Sequence, residues 1–288
     1  MMLTAGSVHA SALRLSASAA ALAVVLAAPG CIDIVGADMG RFTERDEKRF
    51  TVSGTPDVTL ATFDGSIEIR SWDKAEVEVV VEKRGKSKAA TDTIEVRAEH
   101  DGNHVTVEAR IPEAHGFHFS DSRSARLIVS LPAAANVTAK SGDGAIDIER
   151  IDGRIDLRSG DGRIRARDVS GNLDVDTGDG SITVGGKLTT VRAHSGDGSV
   201  RIRAAEGSAA ASDWEITTGD GSVTLDLPDG FAAELDAHTG DGSINTHDVT
   251  LSNVTGRIGR NSLRGRLGNG GHTVRVRTGD GSITLKRS

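Results

Sequence analysis

A six-residue motif constrains the fold of this chain more than any other feature of its sequence. The motif is a serine or threonine, then Gly-Asp-Gly, one variable residue, and an isoleucine or valine. It occurs seven times, beginning at Ser141, Ser159, Thr177, Ser195, Thr218, Thr239 and Thr278. The first four copies are 18 residues apart, and the later gaps are 23, 21 and 39 residues. Such a period predicts a stack of similar units, whose repeated residues build a scaffold before they serve any chemistry.

The residues within each repeat alternate between apolar and polar. When the sequence from Ser141 is divided into units of nine, the sixth and eighth residues are apolar, as in Ile146 and Ile148, and then Ile155 and Leu157. Alternation with a period of two is typical of a strand with one buried face. We therefore predict an all-β fold, a parallel β-solenoid. Each coil of 18 residues would contribute two strands, and neighbouring coils would stack about 4.8 Å apart.

The repeat is less regular outside its centre. Residues 49–135 contain strand patterns and one degenerate copy of the motif, which begins at Thr62. We interpret them as an irregular N-terminal β portion that caps one end, because an open sheet edge invites aggregation. Residues 136–288 are predicted to form the repeat solenoid, and two longer segments, Ala204–Thr217 and Leu227–His238, are predicted to bulge from its coils.

The first 30 residues have the pattern of a signal peptide. Arg14 precedes a small and apolar run, Leu15–Ala28, that is too short to span a membrane. Gly30 and Cys31 follow, and this junction resembles a bacterial lipoprotein signal. The resemblance implies that Cys31 is lipidated and residues 31–48 form a tether, with the membrane as partner through the lipid anchor. Plain secretion is the alternative.

The repeats, the early Asp64–Ile69 segment and the strand that ends at Leu131 and Pro132 together resemble the bacterial "putative adhesin" family of unknown function. The resemblance covers residues 50 to 288 and implies a β-solenoid in the cell envelope. It supplies no catalytic residues and no cofactor. We therefore expect a non-enzymatic lipoprotein that presents a scaffold or adhesin-like surface to an unknown envelope or surface partner. The expected location is the outer membrane, on its periplasmic side or at the cell surface.

The aspartates of the motif are expected to form a column across the coils. They are Asp143, Asp161, Asp179, Asp197, Asp220, Asp241 and Asp280. An aspartate between two glycines suits a turn in which the carboxylate accepts backbone N–H groups and the glycines supply positive φ. The other interpretation is a calcium ladder, but calcium-binding nine-residue repeats place aspartate at the sixth position, which is apolar here. We predict structural turns and no metal site.

Other candidate chemistry is weaker. His194 and His238 each precede a motif, which superficially suggests a Ser/His/Asp arrangement, but the residue at that position varies freely among the repeats. His100 with His104, and His115 with His118, lack a third metal ligand at a convincing spacing. The chain has 34 Lys and Arg against 41 Asp and Glu, and their mixing gives no basic surface for nucleic acid.

Sugar-binding enzymes with a parallel β-helix usually carry aromatic platforms, whereas this chain has two tryptophans, Trp72 and Trp214, and no tyrosine. We therefore predict that the protein is not an enzyme. A calcium-binding or polysaccharide-active β-helix protein is the alternative function.

Overall fold

The computed structural model describes residues 33–34, 42–112, 123–256 and 260–288. The signal segment and Cys31 lie outside these residues, as do His115 and His118. The strands and the one helix of the described ranges are β1 (Asp33–Ile34), β2 (Phe42–Thr51), β3 (Asp57–Thr62), β4 (Ile67–Trp72), β5 (Glu76–Gly85), α1 (Lys88–Asp92), β6 (Glu95–Asp101), β7 (His104–Arg110), β8 (Ser124–Pro132), β9 (Asn136–Ser141), β10 (Ile146–Glu149), β11 (Asp152–Ser159), β12 (Ile164–Thr177), β13 (Ile182–Ser195), β14 (Val200–Ala204), β15 (Trp214–Thr218), β16 (Val223–Leu227), β17 (Ala233–Thr239), β18 (Ile244–His247), β19 (Leu251–Gly256), β20 (Ser262–Leu267), β21 (Thr273–Thr278) and β22 (Ile283–Arg287).

The strands form two ladders, which we call sheet A and sheet B. Sheet A has the order β1-β2-β5-β8-β4-β10-β12-β13-β14-β16-β22-β18. Sheet B has the order β6-β7-β3-β9-β11-β12-β13-β15-β21-β17-β20-β19. The long strands β12 and β13 contribute their first halves to sheet A and their second halves to sheet B. The predicted all-β class is confirmed, and the pairing is mostly parallel.

The register follows the sequence repeat. Ile146 pairs with Ile164, Ile164 with Ile182, and Ile182 with Val200, so successive apolar residues stand in one row. All four are at most 1% exposed. Each row of this kind removes aliphatic side chains from water along the whole stack, which is the main favourable term in its folding.

The order of the coils in space differs from their order in the sequence. At the C-terminal end, β21 and β22 lie between the coil of β15 and β16 and the coil of β17 and β18. At the N-terminal end, β3 and β4 lie between β7 and β8 on one side and β9 and β10 on the other. The supposedly irregular N-terminal portion therefore contains a regular coil, in which Ile67 pairs with Ile146.

Antiparallel strands close both ends. β2 and β5 extend sheet A at one end, and β19 and β20 extend sheet B at the other. This explains why the motif is missing between Asp248 and Arg277, because β19 and β20 are not part of a parallel coil. A register shift between Ser252 and Thr255 bends the outermost strand, a feature that discourages further pairing.

The predicted tether extends too far along the chain. Residues 42–48, assigned to it from their polar composition, lie in β2, which pairs with β5 over ten residues. The polar side chains suit a strand near the sheet end, where Lys48 pairs with Asp46 at 3.0 Å and Arg49 with Glu78 at 2.9 Å. Within the described ranges, no helix is long and apolar enough to cross a bilayer.

Candidate functional site

The first residue of the motif holds neighbouring coils together. The Ser159 hydroxyl donates to the carbonyl oxygen of Gly144 in the preceding coil at 2.9 Å, and it accepts the N–H of Gly162 at 3.1 Å. Ser195 repeats both contacts with Gly180 and Gly198. Eight such hydroxyls are at most 8% exposed, those of Thr62, Ser141, Ser159, Thr177, Ser195, Thr218, Thr239 and Thr278. The hydroxyls, rather than the aspartates, are the acceptors that build the turn. Sequence reasoning missed this role, although the restriction of that position to serine and threonine was visible.

The glycines of the motif are required by close packing and not by positive φ. A Cβ at Gly162 would overlap the carbonyl oxygen of Gly144, and one at Gly160 would lie 2.5 Å from the carbonyl oxygen of Gly142. Among the Gly-Asp-Gly turns no glycine has a positive φ, so that prediction was wrong; only Gly65 in the degenerate copy does. Positive φ occurs instead at the opposite corner of the coils, at Gly153 and Gly171.

The aspartates of the motif lie on the outside of this column. All seven are exposed. Along the stack of coils they follow one another in the order Asp143, Asp161, Asp179, Asp197, Asp220, Asp280 and Asp241. The Asp161 carboxylate lies over Gly178 of the next coil, and no hydrogen bond to any of the seven carboxylates is present in the described part of the chain. Nor do the described residues contain a group of three or more His, Cys, Asp or Glu side chains placed to hold a metal ion.

The two histidines next to a motif do not form a catalytic arrangement. The Nδ1 atom of His194 lies 2.8 Å from the hydroxyl of Thr217 in the next coil, and among the described residues His194 makes no hydrogen bond or ion pair with Asp197. His238 is exposed on β17, beside Arg277.

Trp214 offers no ring face for a sugar, and one face of the Trp72 ring is covered by a lysine. Trp214 is fully buried, and its Nε1–H donates to the Thr189 carbonyl at 3.1 Å. Its ring packs at 5.2 Å, centroid to centroid, against Phe231. Lys74 covers the ring of Trp72, with its Nζ 4.6 Å from the ring centroid.

An open groove crosses the coils on the outside of sheet B. Its first part has a volume of about 590 Å³ and is lined by Asp57, Val58, Thr59, Asn136, Val137, Thr138, Gly153, Arg154, Gly171, Asn172 and Thr189. Gly153 and Gly171 line the groove at one corner of adjacent coils, where each packs against the backbone of the preceding coil. We call this depression, together with the adjoining one over β12, β13 and β15, the sheet B groove.

A second depression adjoins the first over the next coils. A second part of about 520 Å³ shares Arg154 and Asn172 with the first and reaches Asp174, Arg192 and Glu215. Asp174 holds Arg158 at 3.1 Å and Arg192 at 3.4 Å. The groove therefore changes along its length from amide and hydroxyl groups to a network of ion pairs.

Hydrogen bonds between coils fix the polar side chains of the groove. The amide of Asn136 donates to the Asp57 carboxylate at 2.8 Å and accepts the backbone N–H of Arg154 at 3.0 Å. In the next coils, Asn172 accepts the hydroxyl of Thr189 at 2.8 Å. Such a preorganised row can bind a partner rich in hydroxyl or amide groups without first paying for its own ordering.

Three carboxylates on sheet B surround the guanidinium group of Arg158 and shift its pKa. Partial burial alone would lower the pKa of Arg158, but Asp156, Asp174 and Asp176 outweigh it and raise that pKa. Arg158 thus remains a fixed cation beside the groove. The sequence could not reveal the groove, because its residues are outward-facing and differ from coil to coil.

The sequence matches the Toastrack DUF4097 family over residues 57–286. Because this match covers most of the chain, the protein belongs to that family. No curated protein matches the chain.

Several solved structures are similar over most of their length. A "putative cell adhesion protein" from Clostridium sporogenes is 14% identical with a TM-score of 0.37, covering 85% of this chain and 100% of the other. A "putative adhesin" from Bacteroides fragilis is 11% identical with a TM-score of 0.40, covering 84% and 96%. A "putative lipid binding protein" from Parabacteroides distasonis is 15% identical with a TM-score of 0.37, covering 84% and 96%. Similarities of this size do not transfer a function.

Proposed function

We propose that this Toastrack-family protein is a non-enzymatic scaffold of the bacterial cell envelope that uses the sheet B groove as an interaction surface. The observation that carries the proposal is that the groove extends over adjoining coils. Its two parts share Arg154 and Asn172, and its polar groups are held in place by hydrogen bonds between coils. A β-solenoid suits this use, since stacked coils create long surfaces with a regular spacing.

The proposal also includes a lipid anchor. The apolar segment before Gly30 and the lone Cys31 support acylation of that cysteine, which would hold the stack beside a membrane. Ile32 stands where many inner-membrane lipoproteins of Gram-negative bacteria have aspartate, and this favours the outer membrane.

The anchor is tested by cell fractionation. We expect Cys31→Ser to move the protein from the membrane fraction to the soluble fraction. Membrane association that is unchanged in this variant would refute the anchor but leave the groove untouched.

The groove is tested in intact cells with a photo-crosslinking residue at Thr138, which lines it. The matched control carries the same residue at Thr284, which faces outward on β22 of sheet A and lies outside the groove. We expect a crosslinked envelope component at Thr138 and none at Thr284. Equal labelling at the two positions, or none at either, would contradict the assignment of the groove.

A further inference from the structure

The outer face of sheet A carries two rows of arginine with a row of small side chains between them. The arginines stand on or directly before β12 and on β14, and the small residues stand on or directly before β13, the strand that pairs with both. We call this surface the arginine trough. Its arginines are Arg163, which precedes β12, and Arg165, Arg167, Arg201 and Arg203. Its floor consists of Ser181, which precedes β13, and Thr183 and Gly185.

The register places the two rows across the floor from each other. Thr183 pairs with Arg165 on one side and with Arg201 on the other. Because neighbouring strands are about 4.8 Å apart, these two arginines are separated by about 10 Å at the backbone. That gap accommodates one anionic group, which could accept the hydroxyl of Thr183 and a guanidinium from each wall.

A second opening lies two residues further along the floor. Gly185 pairs with Arg203, and there is no atom within 4 Å of where its Cβ would be. Arg167 follows Ala166, the partner of Val184, and so begins the bulge beside Gly185. The spacing between residues i and i+2 of a strand is about 6.6 Å, so the trough offers two anion positions at roughly that repeat.

The acids that pair with these arginines lie outside the trough. Arg165 pairs with Asp147 at 3.3 Å and Arg167 with Glu149 at 3.3 Å, both on β10. Each of these contacts engages its arginine from the β10 side of β12, opposite the floor on β13. Arg203 likewise pairs at 3.5 Å with an acid on β16 and remains 66% exposed.

The side chains of two of the arginines have no partner within the described ranges. Arg163 and Arg201 are exposed, and their guanidinium groups make neither an ion pair nor a hydrogen bond there. Arg163 and Arg201 therefore contribute positive charge to the trough that no acid of these ranges offsets. A surface of this kind is therefore complementary to a polyanion.

We propose that the arginine trough binds a linear acidic polysaccharide. Guanidinium groups pair with carboxylate or sulfate in a bidentate manner, and the floor hydroxyls match the hydroxyls of sugars. Nucleic acid suits the surface less well, because β12, β13 and β14 carry no Phe, Tyr or Trp on which bases could stack.

The proposal is tested with polygalacturonate, a polyuronate, and dextran sulfate as probes, and with uncharged dextran and single-stranded DNA as comparisons. Isothermal titration at low salt should show binding to at least one acidic glycan, weakened by added salt, and no binding to dextran. An absence of binding to both acidic glycans overturns the proposal. So does single-stranded DNA that binds as tightly as the better glycan.

The decisive variant is Thr183→Glu, which keeps every arginine and places a carboxylate between Arg165 and Arg201. Opposite charges on neighbouring strands favour folding, so its melting temperature should be at least that of the wild type. Its affinity for the acidic glycan should fall at least tenfold. The matched control, Thr284→Glu, has the same substitution at the equivalent place on β22, outside the trough, and should bind like the wild type.

A second pair of variants does not depend on adding an acid. Arg201→Ser should weaken glycan binding, whereas Arg97→Ser, which removes an exposed arginine from β6 on sheet B, should not. Equal affinity of wild type, Thr183→Glu and Arg201→Ser overturns the proposal, and so does an equal loss in each variant and its control.

Discussion

The buried hydroxyl at the start of each motif performs two tasks that a larger or apolar side chain could not combine. In Ser195 it accepts the N–H of Gly198 at 3.0 Å, which closes its own turn, and donates to Gly180 at 2.9 Å, which joins the preceding coil. Removing the hydroxyl would leave a buried donor and a buried acceptor without partners, an arrangement that is costly in the protein interior.

We expect Ser195→Ala to lower the free energy of unfolding by about 1–3 kcal/mol, since two polar groups lose their partner. Ser199→Ala, four residues later on an exposed position, should cost less than about 0.5 kcal/mol. Chemical denaturation of the two variants and the wild type measures both values. Equal stability losses would mean that the hydroxyl column does not hold the coils together.

The aspartate of each motif is exposed, whereas the hydroxyl that begins the motif is buried. Asp161 is exposed, and its carboxylate accepts no hydrogen bond from the described residues, so we expect Asp161→Asn and Asp161→Ala to be equally mild, each under about 0.5 kcal/mol. Millimolar calcium should leave the melting temperature of the wild type unchanged. A calcium-dependent rise that Asp161→Asn abolishes would instead establish a cation ladder, because a ligand that binds the folded state stabilises it.

Between strands, ion pairs join β21, which is inserted between β15 and β17, to the C-terminal end of the stack. Asp236 on β17 accepts Arg277 of β21 at 2.6 Å and Arg264 of β20 at 3.2 Å. Partial burial alone would raise the pKa of the Asp236 carboxyl, but the hydrogen bonds from Arg277 and Arg264 outweigh it and hold the pKa below its usual value. One carboxylate thus ties three strands together.

This lowered pKa makes the C-terminal end sensitive to acid. The stabilisation is fully present above the pKa of an unfolded aspartate, about 3.9, and is lost as the pH falls through the lower folded value. We therefore expect the wild type to lose more stability than Asp236→Asn between pH 7 and pH 2 in thermal melts. Asp241→Asn, at an exposed turn, should follow the wild-type pH curve. Parallel curves for Asp236→Asn and the wild type would contradict the role of this carboxylate.

For the whole molecule, the sequence predicted the positions of the strands well, but it predicted less well which strands pair with one another. The rows through Ile146, Ile164 and Ile182 follow from alternation, which is a local property that each strand displays by itself. The position of β21 and β22 could not be predicted, because all copies of the motif present nearly the same turn and can stack on one another. The gap of 39 residues before Thr278 was the one sign of an interruption.

The two candidate surfaces were hidden for a related reason. Residues such as Asn136 and Asn172 in the groove, or Arg165 and Arg201 in the trough, face outward and vary between coils. The sequence period identifies the repeated residues that stack between coils, but it carries no information about the outward residues that differ between them. The surfaces become visible only when the register brings distant residues side by side.

The insertion of β21 between β15 and β17 is the claim on which the closure of the C-terminal end depends, and disulfide trapping tests it directly. Arg277 pairs with Thr217 on one side and His238 on the other, so cysteines at 217 and 277 lie on adjacent strands. In a Cys31→Ser background, which removes the only native cysteine, the pair Thr217→Cys and Arg277→Cys should oxidise readily. The pair Thr217→Cys and His238→Cys is separated by the intervening strand, about 10 Å, which is too far for a disulfide. Efficient crosslinking of 217 to 277 and none of 217 to 238 is the predicted result; the reverse would show that the coils stack in sequence order.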